Sequence, residues 1–191
     1  MTLARLPDIR TSRLNIRAIE ERDLPAVFAC YDSADVTRYC SPVRWPTMQH
    51  AHSWFARTKQ RVADGDAMQF VVELTESSTI IGTCVLFKID EDNKRAEIGY
   101  ALGRPFWGAG YMHETLHALI DNVFRVLQLH RLEATIDPRN ENSLKSIARL
   151  GFQHEGTLRE CWLVDGQFAD SSLYGLLARD WAALNGSDTK P

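Results

Sequence analysis

A chain of 191 residues, 45% of them hydrophobic and 25% charged, has the length and balance of one globular domain with its own core. Its net charge of −3, with basic residues spread thinly apart from groups such as Arg5/Arg10/Arg13/Arg17, argues against nucleic acid or an anionic membrane as a partner. Cys30, Cys40, Cys84 and Cys161 lie far apart with no CxxC pair and read as reduced, mostly buried thiols. The N-terminus has no apolar run of signal-peptide length, and the most apolar stretch, 79–87, is far short of a membrane span. A cytoplasmic enzyme or binding protein is the expectation.

The alternation in Leu14-Asn15-Ile16-Arg17-Ala18 predicts a half-buried strand. Asp23 can cap a short helix to about Tyr31, and Thr47 a longer one to about Ala63, with Gly65 just beyond. Strands follow over Met68–Leu74, Ile80–Ile89 and Ala96–Leu102; the polar turns between them imply an antiparallel meander. Apolar residues at 112, 116, 119, 123 and 127 form one stripe of a helix over 111–127. A strand over Arg131–Ile136 and a helix over 141–150 come next, the helix closed by Gly151-Phe152. Strands 157–164 and 167–177 flank Asp165-Gly166, a hairpin signal. Residues 1–184 are thus expected to form a single domain, with 185–191 a polar, frayed tail. The order β-α-α-β-β-β-α-β-α-β-β contains a strand–helix–strand crossover near 96–136. It predicts a mixed α/β fold, with a mostly antiparallel seven-stranded sheet, one parallel pair and four helices.

The stretch Leu102-Gly-Arg-Pro-Phe-Trp-Gly-Ala-Gly-Tyr111 leaves a strand, passes through a Gly-rich loop and opens a helix. Such a loop lets backbone N–H groups approach an anion, and the helix N-terminus adds a favourable dipole. It can cradle a pyrophosphate, or it can be a turn with no ligand. Neither GxxxxGK(S/T) nor GxGxxG is present, so a P-loop and a dinucleotide fold are set aside.

With these residues on the page, the chain resembles the GCN5-related N-acetyltransferase (GNAT) family, and within it the RimJ/RimL-like branch. The resemblance spans roughly 8–181. The family loop Q/R-x-x-G-x-G/A falls on Trp107-Gly108-Ala109-Gly110-Tyr111-Met112; Trp107 and Met112 depart from the general pattern, but W-G-x-G-Y is similar to the branch. Thr11-Ser12-Arg13-Leu14, Ala96-Glu97-Ile98-Gly99-Tyr100, Asn140-x-x-Ser143, Leu150-Gly151-Phe152 and Val164-Asp165-Gly166 match in order and spacing.

The resemblance implies a splayed sheet with acetyl-CoA, the acyl donor, wedged where it splits. Backbone groups from Tyr100 to Leu102 would face pantetheine, and Trp107, Gly108, Ala109, Gly110, Tyr111 and Met112 would hold the pyrophosphate. Asn140 would bond the pantetheine arm, although it also reads as an ordinary N-cap. A primary amine, on a protein N-terminus or a small molecule, would accept the acetyl group; a homodimer is the family-level expectation. Transfer needs a neutral amine, and an α-amine (pKa about 8) needs less help than a lysine-like one (about 10.4). Where many relatives carry a tyrosine near the CoA sulfur, this chain has Ile147. Ser143 is then the hydroxyl expected to donate to the leaving thiolate. Glu97 is the first choice of base, acting through water; it also reads as a strand carboxylate paired with Lys or Arg. Arg38, Tyr39, Arg44 and Trp45 lie in the loop expected to border the acceptor, without individual roles.

His113-Glu-Thr-Leu-His117 spells HExxH on a predicted helix, the pattern of zinc metalloproteases. No downstream motif supplies a third ligand, and no metal is expected. A module that holds acyl-CoA without turnover remains open beside both enzymes.

Overall fold

The computed structural model describes residues 6–39, 44–164 and 166–186. Cys40, Asp165 of the hairpin turn and residues 187–191 of the expected tail lie outside them. The strands are β1 (Ile9–Arg10), β2 (Leu14–Ala18), β3 (Ala67–Leu74), β4 (Ile80–Asp90), β5 (Arg95–Leu102), β6 (Arg131–Ile136), β7 (Gln153–Val164) and β8 (Gln167–Leu177). The α-helices are α1 (Leu24–Tyr31), α2 (Ala34–Thr37), α3 (Met48–Ala63), α4 (Tyr111–Arg125), α5 (Glu141–Arg149) and α6 (Ala178–Asn185).

The strands form one sheet in the order β1-β2-β3-β4-β5-β6-β8-β7. Among the described residues only β5 and β6 run parallel, as the crossover through α4 requires. Their pairing is short: Arg95↔Arg131, Ala96↔Leu132 and Glu97↔Glu133, after which the strands part. The mixed α/β fold with a splayed sheet is therefore as expected, with two corrections of count. The sheet has eight strands rather than seven, because the two-residue β1 pairs with Asn15 and Ile16, too briefly to leave a pattern. Among the described residues there are six α-helices rather than four. The single turn α2 has no apolar period. α6 buries Trp181 (4% exposed) against the core, so the chain is helical up to Asn185, where the frayed tail was expected to start.

The two faces of the sheet carry different layers. On one, Leu116, Leu119, Ile120 and Val123 of α4 join Leu86, Leu132, Ile147 and Leu176 in the main core. Fully burying such side chains contributes about 1.5–3 kcal/mol each. On the other, Val27, Trp45, Ala51 and Val71 form a smaller cluster under α1 and α3. Arg17 of β2 fixes that layer, bonding both oxygens of buried Asp23 at 2.8 Å and Glu73 at 2.9 Å. Burial raises the Asp23 pKa, but the hydrogen bond and charge of Arg17 outweigh it, and the carboxyl stays below its usual range.

β7 is the sheet's edge opposite β1, and among the described residues it bonds β8 alone. Its register shifts at His154/Gly156 and again at Leu158/Trp162. Leu158, Trp162, Leu163 and Phe168 are exposed along this hairpin. Cys30 and Cys84 are buried, in line with mostly buried thiols, and Cys161 is exposed on β7.

Candidate active site

Beyond Glu97 and Glu133, β5 and β6 no longer pair, so Ile98–Leu102 has a strand neighbour, β4, on one side only. Backbone groups on the open side can bond an extended ligand as they would a strand. One of these groups is already engaged: the Trp107 indole N–H donates to the Leu102 carbonyl at 2.6 Å. Arg104 stacks over the Trp107 ring at 4.7 Å, so this loop residue is anchored from both sides.

The Gly-rich loop then turns into α4. Gly108 and Gly110 have φ of +79° and +80°, left-handed values that cost a side-chain-bearing residue about 1–2 kcal/mol. Gly110 is the N-cap of α4. The N–H groups of the first turn have no intrahelical acceptor and end at the groove lined by Gly108, Gly110, Tyr111, Met112 and His113. This groove encloses about 780 Å³. Arg38, Arg139 and Arg149 add positive charge along it. Arg38 and Arg149 make no ion pair among the described residues, which suits a phosphate-bearing ligand. Arg38, expected beside the acceptor, lines this groove and not the second cavity, whereas Arg139 and Arg149, at the two ends of α5, were missed because only the fold brings them to the loop.

At the far end of the groove stands the start of α5. Asn140 caps this helix, its Oδ1 accepting the Ser143 N–H at 3.2 Å. The capping reading of Asn140 therefore holds. Its amide N–H groups make no hydrogen bond among the described residues. Tyr100 donates to the Ser143 carbonyl at 3.4 Å. Burial pushes the Tyr100 phenol up to about 12, so it stays protonated at neutral pH. Ile147 is fully buried, and the α5 position that holds a tyrosine in many relatives contributes only packing. A tyrosine hydroxyl does meet α5 from β5, at the Ser143 carbonyl one turn before Ile147. Nothing in the spacing announced it; only the register of β5 against α5 does.

Tyr39, Tyr100, Asn140 and Ser143 line the groove and also a second cavity of about 420 Å³ on the α1/α3 face. The two spaces meet at these residues. Glu97 lines the second cavity, is 6% exposed, and accepts from Lys88 Nζ at 2.6 Å. The strand-carboxylate reading is thus met by Lys88, without removing Glu97 from the cavity. Of the loop residues, Tyr39 and Trp45 line the cavity, and Arg44 pairs with Asp32 at 2.8 Å.

The HExxH motif serves the scaffold. Glu114 accepts from Thr11 Oγ1 (2.6 Å), Ser12 Oγ (3.2 Å), Arg13 N (3.1 Å) and Arg13 Nε (2.7 Å). Arg13 in turn donates to the Ala109 carbonyl at 3.0 Å and lies 4.5 Å over the Tyr111 ring. His117 bonds Asn185 at 3.0 Å and packs on Trp181. Both Glu114 oxygens are taken up by donors from the turn between β1 and β2, and through Arg13 the motif ties that turn to the Gly-rich loop.

The sequence profile of the acetyltransferase (GNAT) domain matches residues 13–153. An uncharacterized N-acetyltransferase, p20, of Bacillus licheniformis is 35% identical over 172 residues, covering 90% of this chain and 97% of that protein. The ribosomal protein uS5-alanine N-acetyltransferase of Escherichia coli is 30% identical, over 92% of this chain and 94% of its own. The spermidine N-acetyltransferase of Vibrio cholerae, solved with CoA and spermine, superposes with a TM-score of 0.80 at 21% identity, covering 90% and 99%. Motifs, fold and relatives agree, and the chain belongs to the GNAT family as an acetyl-CoA-dependent N-acetyltransferase.

Proposed function

We propose that acetyl-CoA lies along the groove and hands its acetyl group directly to a primary amine held in the second cavity. The observation that carries this reading is the meeting of groove and cavity at Tyr100, Asn140 and Ser143. The open edge of Tyr100–Leu102 and the Asn140 amide bind the pantetheine arm. Trp107–Met112 hold the pyrophosphate on first-turn N–H groups, with Arg38, Arg139 and Arg149 beside it.

The amine nitrogen attacks the thioester carbonyl; the N–C bond forms and the C–S bond breaks. Glu97 accepts the proton from nitrogen through water. The Ser143 hydroxyl, with protonated Tyr100 next to it, donates to the sulfur as it leaves. The acceptor is a protein N-terminus or a small-molecule amine. The uS5-alanine relative supports the first, and the spermidine enzyme, similar in fold alone, is compatible with the second.

Calorimetric titration with acetyl-CoA, followed by thiol release with an amine panel, tests this. Saturable binding near one per chain with amine-dependent release is expected. No binding at high micromolar acetyl-CoA would overturn the groove assignment. Binding without release from any amine would favour a module that only holds acyl-CoA.

A further inference from the structure

We propose that the second cavity selects a primary monoamine carried on an aromatic or similarly planar apolar body, and that Trp54 and Tyr31 form the surface that reads it. This rests on the reading that the cavity holds the acceptor.

The cavity wall formed by α1, α3 and the segment before α3 is a stack of rings. Tyr31 lies on Trp45 with centroids 4.6 Å apart and planes at 16°, and Trp54 follows at 5.2 Å from Trp45. Trp45 is 4% exposed and backs the other two, which are half-buried and line the cavity. The stack is anchored: the Tyr31 hydroxyl hydrogen-bonds Thr83 Oγ1 at 2.9 Å, and the Trp45 N–H donates to the Tyr31 carbonyl at 3.2 Å. The wall is therefore formed before a ligand arrives, and flat aromatic faces lower the ordering cost of binding a flat partner. Phe87 and Trp162 bring further rings to the lining.

The charges argue for one ammonium and against several. Among the described lining residues, Arg61 pairs with Asp66 at 2.7 Å, Lys88 with Glu97 at 2.6 Å, and Asp137 with Arg139 at 2.6 Å. Asp170 alone among the described lining carboxylates forms no ion pair; it accepts the Glu160 N–H at 2.9 Å, and the Arg139 charge acts on it only from a distance. One exposed carboxylate can draw in a single protonated amine, whereas a polyamine needs an acceptor for each of its charges. Gln69 donates to the Phe70 and Cys84 carbonyls at 3.2 and 3.0 Å, which leaves its Oε1 as a fixed acceptor in the same wall. A volume of about 420 Å³ is at the compact end of ligand sites, which run from about 300 to 1,000 Å³.

Such an amine can be free or can be the first residue of a peptide, so the panel separates the two. Thiol release is measured with phenethylamine, a Phe-initiated tetrapeptide, an Ala-initiated tetrapeptide and spermidine, for the wild type and for Trp54→Leu. An aromatic amine should exceed spermidine and the Ala peptide by about tenfold or more in kcat/KM. Whether phenethylamine or the Phe peptide is better names the source. Trp54→Leu should reduce that advantage to about threefold or less with acetyl-CoA affinity unchanged. Equal or better use of spermidine or the Ala peptide by the wild type, which needs no variant, overturns the proposal. So does a Trp54→Leu enzyme of unaltered selectivity. If acetyl-CoA binds but neither aromatic amine reacts, the aromatic reading fails. If acetyl-CoA does not bind, it is the reading of the site that fails.

Discussion

Replacing Glu114 by Ala removes the acceptor that gathers Thr11, Ser12 and Arg13 onto α4. Hydrogen bonds to a charged group contribute about 1.5–3 kcal/mol each when shielded, and far less when exposed. The Glu114 side chain is 18% exposed but Arg13 is 44% exposed, so the ion pair is discounted and the shielded Thr11 and Arg13 N–H bonds dominate. The expected loss is about 2–3 kcal/mol, or roughly 5–10 °C in Tm for a chain of this size. Glu114→Gln, which keeps a neutral acceptor, should lose about half as much. Burial raises the Glu114 pKa, yet the bonds from Thr11, Arg13 and Ser12 prevail and lower it. A lowered carboxyl pKa stabilises the fold fully above the ordinary glutamate value of about 4.3, and that stabilisation disappears as pH falls through the folded value. The Tm gap between wild type and Glu114→Ala should therefore be full at pH 7.5 and shrink below about pH 4. Scanning fluorimetry at both pH values measures it. A gap under about 2 °C at pH 7.5, or one that does not shrink in acid, would refute the clasp. Because Arg13 also holds the Ala109 carbonyl, the same variant should weaken acetyl-CoA more than acetyl-pantetheine, which lacks the pyrophosphate.

Ser143→Ala should lower kcat by about 10- to 100-fold with little change in acetyl-CoA affinity; unchanged turnover removes Ser143 from the chemistry. Glu97→Gln should lower kcat/KM by about 10- to 100-fold with acetyl-CoA affinity unchanged, and an unaltered kcat/KM means another base. Asp23→Ala leaves Arg17, 11% exposed, without its main counter-ion and should cost about 3 kcal/mol, read by urea unfolding. Gly110→Ala forces a side chain into φ +80° and should lose about 1–2 kcal/mol, with weaker acetyl-CoA binding in the same titration.

Much of this architecture was legible because its signals are local. The alternation of 14–18, the 112–127 stripe and the Gly-rich loop each name an element without reference to the rest of the chain. The crossover from β5 through α4 to β6 then dictates one parallel pair. What stayed hidden depends on contacts between distant segments. The Tyr100 hydroxyl reaches α5 across 43 positions of sequence, and Glu114 meets Thr11 across 103. The HExxH spacing was visible, but the engagement of its Glu114 by the turn between β1 and β2 was not. α6 does leave a signal, since Leu177, Trp181 and Leu184 follow helical spacing, but three apolar positions directly after a long strand define no period of their own.

The wall that Trp162 and Val164 give the second cavity belongs to the strand most exposed to unwanted association. A long apolar edge strand presents an unpaired row of N–H and C=O groups to any other extended chain. Here the Leu158/Trp162 register shift breaks the row, Glu160 takes a positive φ of 51°, and Arg159 and Glu160 place both signs of charge in the break. The irregularity therefore blunts the edge as well as shaping a cavity wall. Any redesign that straightens β7 to widen acceptor choice would do so at the expense of colloidal behaviour, and aggregation would be its first symptom.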